Sequence, residues 1–255
     1  MAEPVAKPGN EGPVRPIVFL HLPKTAGMTL RAILSRGYGA YPIEFIGDLG
    51  DEVKEFAVRP LAERKRFALI SGHMPWGAQA MIPGSRAITF LRDPVERVLS
   101  AYYFNKRAPN ALHHRVINDE NLSVADVIDR GLFAGEFNLQ TNMLRSSAAQ
   151  TPEQAIESAK QNLRACAAFG LVERFDESIE YLSRALRWPR EAGAGFESVN
   201  VTANRPKAAE LDEAVLGRIR HESAIDRALY EFASDLFDRR NAPTGGVSPE
   251  EAQGR

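Results

Sequence analysis

Ile17-Val18-Phe19-Leu20-His21-Leu22-Pro23-Lys24-Thr25-Ala26-Gly27-Met28-Thr29-Leu30-Arg31-Ala32-Ile33-Leu34 is the stretch from which the architecture can be built outward. Its first four residues form a short apolar, partly β-branched run, the pattern of a strand buried on both faces. Leu30, Ile33 and Leu34 are spaced as one face of a helix. Between them a turn holds Pro23, Lys24, Thr25, Gly27 and Thr29. A buried strand that turns tightly into a helix leaves several backbone N–H groups unpaired at the helix start, beside the positive end of its dipole. That geometry suits an anion. Lys24 adds a mobile point charge, Thr25 and Thr29 add hydroxyls, and Gly27 lets a ligand come close to the backbone. The plain alternative is that a strand, a turn and a helix carrying a lysine are ordinary α/β scaffolding.

The turn departs from the nucleoside-triphosphate P-loop, because Val18 and Pro23 occupy the positions where that pattern needs its two glycines. The string Phe19 to Gly27 instead resembles the 5′-phosphosulfate loop of sulfotransferase family 2, the carbohydrate sulfotransferases related to heparan sulfate 2-O-sulfotransferase. The resemblance implies a P-loop-like nucleotide-binding core and 3′-phosphoadenosine 5′-phosphosulfate (PAPS) as sulfuryl donor. It also implies that Pro23, Lys24, Thr25, Ala26, Gly27, Met28 and Thr29 form the donor's 5′ site, without a metal.

The 255 residues, 44% hydrophobic and 25% charged, suit one globular α/β domain over 15–241, between tails at 1–14 and 242–255 that are rich in proline or glycine. The formal net charge of -1 gives no basic field for a nucleic acid, so any anion must be held by a local cationic pocket. Cys166 is the single cysteine, set among Leu163, Ala165 and Ala167, where a buried filler is expected rather than a nucleophile. Animal members of the resembled family are Golgi proteins with a membrane anchor and often disulfides. The first fourteen residues hold no apolar segment long enough for a leader or a span, so a bacterial-type cytoplasmic enzyme is the expectation.

Further along, Gly37 and Gly39 are expected to end the first helix, and Tyr41 to Ile46 to form a short strand. A helix broken at Pro60 is expected between Asp48 and Arg66. Strands follow at Phe67 to His73 and Ala87 to Leu91, and a further core strand at Phe169 to Val172. Helices are expected over Ser123 to Arg130, Phe137 to Leu144, Pro152 to Ala167, Phe175 to Arg187, Leu211 to Ile219 and Ile225 to Arg239. Strands alternating with helices, followed by a largely helical second half, define a three-layer α/β fold with a mainly parallel sheet.

A second junction repeats the logic of the first. After Ala87 to Leu91 comes Arg92-Asp93-Pro94-Val95-Glu96, with Asp93 suited to cap a helix, Pro94 to its first position, and Glu96 at capping-box spacing. In an open α/β sheet, ligands gather at this carboxyl end of the strands. The segment Ile88 to Tyr103 is similar to the family's 3′-phosphate site, in which the Arg after the strand and a Ser eight positions on hold the ribose 3′-phosphate. Those positions are Arg92 and Ser100 here. Each has a dull alternative by itself, an arginine paired to a surface carboxylate and an idle serine.

His73 follows its strand as Ser71-Gly72-His73 and is the candidate catalytic base, because histidine titrates near neutrality and could take the acceptor hydroxyl's proton. The resembled enzymes carry His-Gly-His there, and Ser71 replaces the first histidine. A structural histidine closing a strand is the alternative. Lys24 is the candidate for stabilising the leaving phosphate. His21 is assigned a structural or orienting role, and His113 and His114 a solvated loop.

Thr202, Asn204 and Arg205 belong to a late polar loop resembling the one that folds over the nucleotide. Asn138, Gln140, Thr141, Asn142 and Arg145 are candidates for lining the acceptor cleft. The expected partner is a hydroxylated acceptor, a glycan or glycoconjugate. Two rivals stay open: a P-loop-type kinase, and a non-catalytic protein that binds nucleotide or sulfated glycan. The acceptor and the oligomeric state are not legible.

Overall fold

The computed structural model describes residues 15–39, 41–47, 51–187 and 211–242. The late polar loop with Thr202, Asn204 and Arg205 lies outside them, as do both tails apart from Ala242.

Five strands form one sheet: β1 (Ile17–Leu20), β2 (Ile43–Phe45), β3 (Leu69–Gly72), β4 (Arg86–Leu91) and β5 (Ala168–Leu171). Their order is β2-β3-β1-β4-β5, and every pairing is parallel. β1, β3 and β5 are buried at every position and β4 at all but its first. Successive side chains of a strand point to opposite faces, so both faces of these strands are covered by helices, as parallel sheets require.

The crossovers in the first half are α1 (Gly27–Tyr38), α2 (Asp51–Val58) and α3 (Leu61–Arg64), the last two separated at Pro60 as expected. After β4 come α4 (Pro94–Arg107), α5 (His114–Asp119), α6 (Val124–Asp129), α7 (Leu139–Leu144) and α8 (Pro152–Ala165). α9 (Phe175–Leu186), α10 (Glu213–Glu222) and α11 (Ala224–Asn241) complete the described residues. The main core lies around the sheet, with Phe19, Phe90, Phe169 and Phe237 among its buried side chains. A second cluster, including Val98, Tyr102, Val127, Phe133 and Ile219, joins α4 to α6 and α10.

Two local expectations are corrected. Gly37 lies inside α1, which continues to Tyr38, and Gly39 follows with φ of -58°, an ordinary right-handed residue rather than a left-handed cap. Ile33, Leu34 and Tyr38 are buried against the core, and that burial carries the helix past the glycine's weak propensity. His113 and His114 do not sit in a loose loop. His114 opens α5 and its Nδ1 lies 3.0 Å from the Asn105 carbonyl, while the His113 ring lies 5.9 Å from that of Phe133.

β1 lies between β3 and β4, with Leu20 level with Gly72 on one side and with Thr89 on the other. Chain order reverses at β1, so the crevice at the carboxyl ends of these three strands is the fold's natural ligand position.

Candidate active site

Three adjacent strands each deliver one candidate to that crevice: Lys24 after β1, His73 after β3 and Arg92 after β4. The decisive proximity is direct. Arg92 Nη1 donates to the Lys24 carbonyl at 3.2 Å, so the two cationic residues share one mouth.

The turn after β1 is held in an unusual backbone. Lys24 and Ala26 have φ of 68° and 58°, in the left-handed region that L-residues seldom adopt. Such turns aim successive amides to one side and make an anion-binding concavity. No side chain caps the start of α1, and its first turn has no acidic residue. The Thr25 hydroxyl, expected as a ligand donor, instead donates to the Leu22 carbonyl at 2.8 Å and closes the turn from within. Thr25 and Thr29 are both buried, whereas Met28 stands more than half exposed.

Lys24 projects along α4, its Nζ 3.7 Å from the centre of the Phe104 ring. Burial pulls its pKa down to about 8, Arg107 lowers it further, Glu136 opposes the shift, and Arg92 and Arg97 add to it.

Arg92 is fixed mainly through its backbone. Its N–H donates to Gln140 Oε1 and its carbonyl accepts from Gln140 Nε2, both at 2.9 Å. Its guanidinium, 17% exposed, meets Glu96 at 3.5 Å and Glu173 at 3.9 Å, and Nε has no hydrogen-bond partner. Arg92 Nε thus lies beside the Glu173 carboxylate without a hydrogen bond among the described residues, at the start of the Asp93-capped α4. Ser100 is half-buried on α4, one turn from Glu96 and one from Phe104, and so shares the face that meets Arg92 and Lys24.

His73 stands beside His21, ring centroids 4.5 Å apart, and His21 stacks on Phe19 at 5.4 Å. Burial, helped by the charges of His73, Arg31 and Lys24, pulls the His21 pKa down to about 3, so its ring is neutral at physiological pH.

The expected acceptor-cleft residues of α7 are largely structural. Gln140 and Thr141 are fully buried, and their amides donate to Asp226 Oδ2 at 3.1 Å and Oδ1 at 2.7 Å. Asn138 reciprocates, accepting from the amides of Ile225 and Asp226 and donating to the Glu222 carbonyl. Burial raises the pKa of Asp226, opposed by its hydrogen bonds to Thr141 and by Arg97. Arg145 donates to the Ala149 carbonyl, and Asn142 is exposed. The α7 start and the α11 start therefore cap one another, and Gln140 carries that rigidity to Arg92.

One contributor was not read from sequence, and one expected cleft residue takes a different role. Phe104 shares an i, i+4 stripe with Ser100, a legible signal, but nothing local says that Lys24 lies over it. Gln140 lies 48 residues from the backbone it clamps, a distance no motif spans. Cys166 is buried, with its thiol pushed up to about 12 by burial, a filler as expected.

The switch point of the parallel sheet thus brings a left-handed turn, an arginine and a histidine to one crevice. A family model described as the Sulfotransferase family matches residues 12–233, and the chain belongs to that family. It is 39% identical to human heparan-sulfate 6-O-sulfotransferase 1 over 88 residues, 33% of this chain and 20% of that protein. With heparan-sulfate 6-O-sulfotransferase 2 of Gallus gallus the identity is 30% over 184 residues, 60% of this chain and 44% of the relative. The chain thus spans less than half the length of these curated relatives. Their names carry 6-O, where the sequence resemblance was framed on the 2-O enzyme.

Among solved structures, mouse sulfotransferase SULT7A1 complexed with PAP aligns with a TM-score of 0.42 and 13% identity, covering 85% of this chain and 66% of that one. A sulfotransferase from Alicyclobacillus acidocaldarius aligns with a TM-score of 0.42 and 16% identity, covering 88% and 99%.

Proposed function

We propose that the protein is a PAPS-dependent sulfotransferase that moves a sulfuryl group to a hydroxyl of a carbohydrate. The observation that supports this reading is the 3.2 Å contact between Arg92 and the Lys24 carbonyl, which brings the turn after β1 and the start of α4 together at one crevice. When bound, PAPS supplies the sulfuryl group and leaves as adenosine 3′,5′-bisphosphate once its bridging sulfur–oxygen bond breaks.

The residues of this chain do the rest by position and charge. The α1 amides and the Lys24 ammonium hold the 5′ side and meet the charge that grows on the departing phosphate oxygen. Arg92 and Ser100 hold the 3′-phosphate. His73 takes the proton of the acceptor hydroxyl as that oxygen bonds to sulfur. Family membership and the heparan-sulfate relatives support a glycan acceptor. The single cysteine supports a reducing, cytoplasmic setting, which fractionation of cells that make the protein would test.

His73→Ala is the central experiment. It should lower turnover by ~10²–10⁴, the range for loss of a general base, while adenosine bisphosphate affinity measured by calorimetry stays close to that of the wild type. Wild-type turnover in this variant overturns the assignment of the base. Tight PAPS binding with no transfer from labelled PAPS to any glycan would make the protein a binder instead.

A further inference from the structure

One buried group is not used by the chemistry above, the imidazole of His21. It makes three ties at once. Its backbone N–H donates to the Gly72 carbonyl at 2.9 Å, which fixes the residue just before His73. One flank of its ring stacks on Phe19, and the His73 ring lies against it at a centroid distance of 4.5 Å and an interplanar angle of 49°. Its edge fills the place where residue 27 would carry a side chain, since a Cβ built on Gly27 falls 1.7 Å from His21 Nε2. Gly27 is the first residue of α1, within the turn that offers its amides to the ligand. His21 is 7% exposed, and burial pulls its pKa down to about 3.

We infer that His21 is a positioning residue, a rigid spacer keyed into Gly27 that sets the distance between the phosphate turn and the His73 imidazole. This rests on the sulfotransferase reading of the site. A general base works only when its nitrogen is within hydrogen-bond reach of the acceptor hydroxyl while the donor is gripped by the turn, so the separation of the two is a catalytic quantity. A flat ring is a stiff gauge for it. Glycine at position 27 then has a reason beyond ligand approach, because any side chain there would strike the gauge.

The test uses the full-length protein, with the same acceptor throughout. His21→Ala should lower kcat by roughly tenfold to a hundredfold, the scale of a displacement near 1 Å, while adenosine bisphosphate affinity changes less than threefold. His21→Phe, which keeps the flat ring, should recover most of kcat. Gly27→Ala should be damaging alone but should add little in a His21→Ala background, since the obstructing ring is gone.

In the ligand-free protein, nuclear magnetic resonance of the His73 ring should show one ordered rotamer in the wild type and in His21→Phe, and averaging in His21→Ala. The proposal is overturned by equal losses in kcat and nucleotide affinity, by unchanged His73 ring order in His21→Ala, or by additive Gly27→Ala and His21→Ala effects. Failure of the transferase reading is a separate result: the wild type itself would then transfer no sulfate, with the ring-order measurement still readable.

Discussion

After β1 the chain enters α1 through left-handed Lys24 and Ala26, and no side chain caps the helix. After β4 it enters α4 through Asp93, whose carboxylate accepts from the Glu96 amide at 3.0 Å, with Pro94 at the first position and Glu96 in the first turn. Both junctions open on the same crevice from neighbouring parallel strands. One is a helix start with no acidic residue in its first turn and no side-chain cap among the described residues, the other a start that satisfies itself. Under the proposed function this difference gives the two starts different roles, the α1 end taking an anion with its backbone and the self-capped α4 end serving as a stable mount for the Arg92 side chain.

The comparison can be broken in four ways. Lys24→Ala should lower kcat/KM by roughly 10²–10³, the range for one preorganised group facing charge that develops in the transition state. An unchanged value would mean that the bare amides suffice. Arg92→Ala should weaken adenosine 3′,5′-bisphosphate about ten- to a hundredfold, as expected for charge-assisted hydrogen bonds, and adenosine 5′-phosphate much less. Equal losses for the two nucleotides, measured by calorimetry, would remove the 3′-phosphate from this junction.

A smaller effect should appear with pH. Lys24 has its pKa pulled down to about 8 in the ligand-free fold, and an anionic ligand raises it again. Below about 8 the ammonium is already formed and affinity is flat. Above that value the protein must take up a proton to bind, so affinity should fall by up to about tenfold per pH unit. Titration calorimetry in buffers of different ionisation enthalpy would detect that proton, and Lys24→Met should abolish it. Smallest is Asp93→Ala, which should cost about 1 kcal/mol of folding stability for the lost cap. Thermal denaturation of the variant checks this, and no loss would mean that α4 does not depend on its own cap.

The site was legible to unequal degrees. Lys24, Gly27 and Arg92 announce themselves because each follows a strand pattern within a few residues, and helix starts are written locally in the chain. The position of His73 at a strand end was legible for the same reason. The errors share a cause as well. Asn138, Gln140 and Thr141 look like ligand-binding polar side chains, yet burial sets them to capping α11, clamping Arg92 and meeting Asp226. The Thr25 hydroxyl closes its own turn. Polar residue types say that a partner exists, whereas distance along the chain does not say which one.

Apolar runs alternating with helical patterns, the position of Pro94 and the turn at Lys24 were enough to specify parallel strands and their following helices, because those signals act over a few residues. Only packing could bring the ends of β1, β3 and β4 side by side, lay Lys24 over Phe104 and wedge His21 between Gly27 and His73. Such contacts join residues tens of positions apart, and they exist only once burial of the sheet has chosen which strand lies next to which.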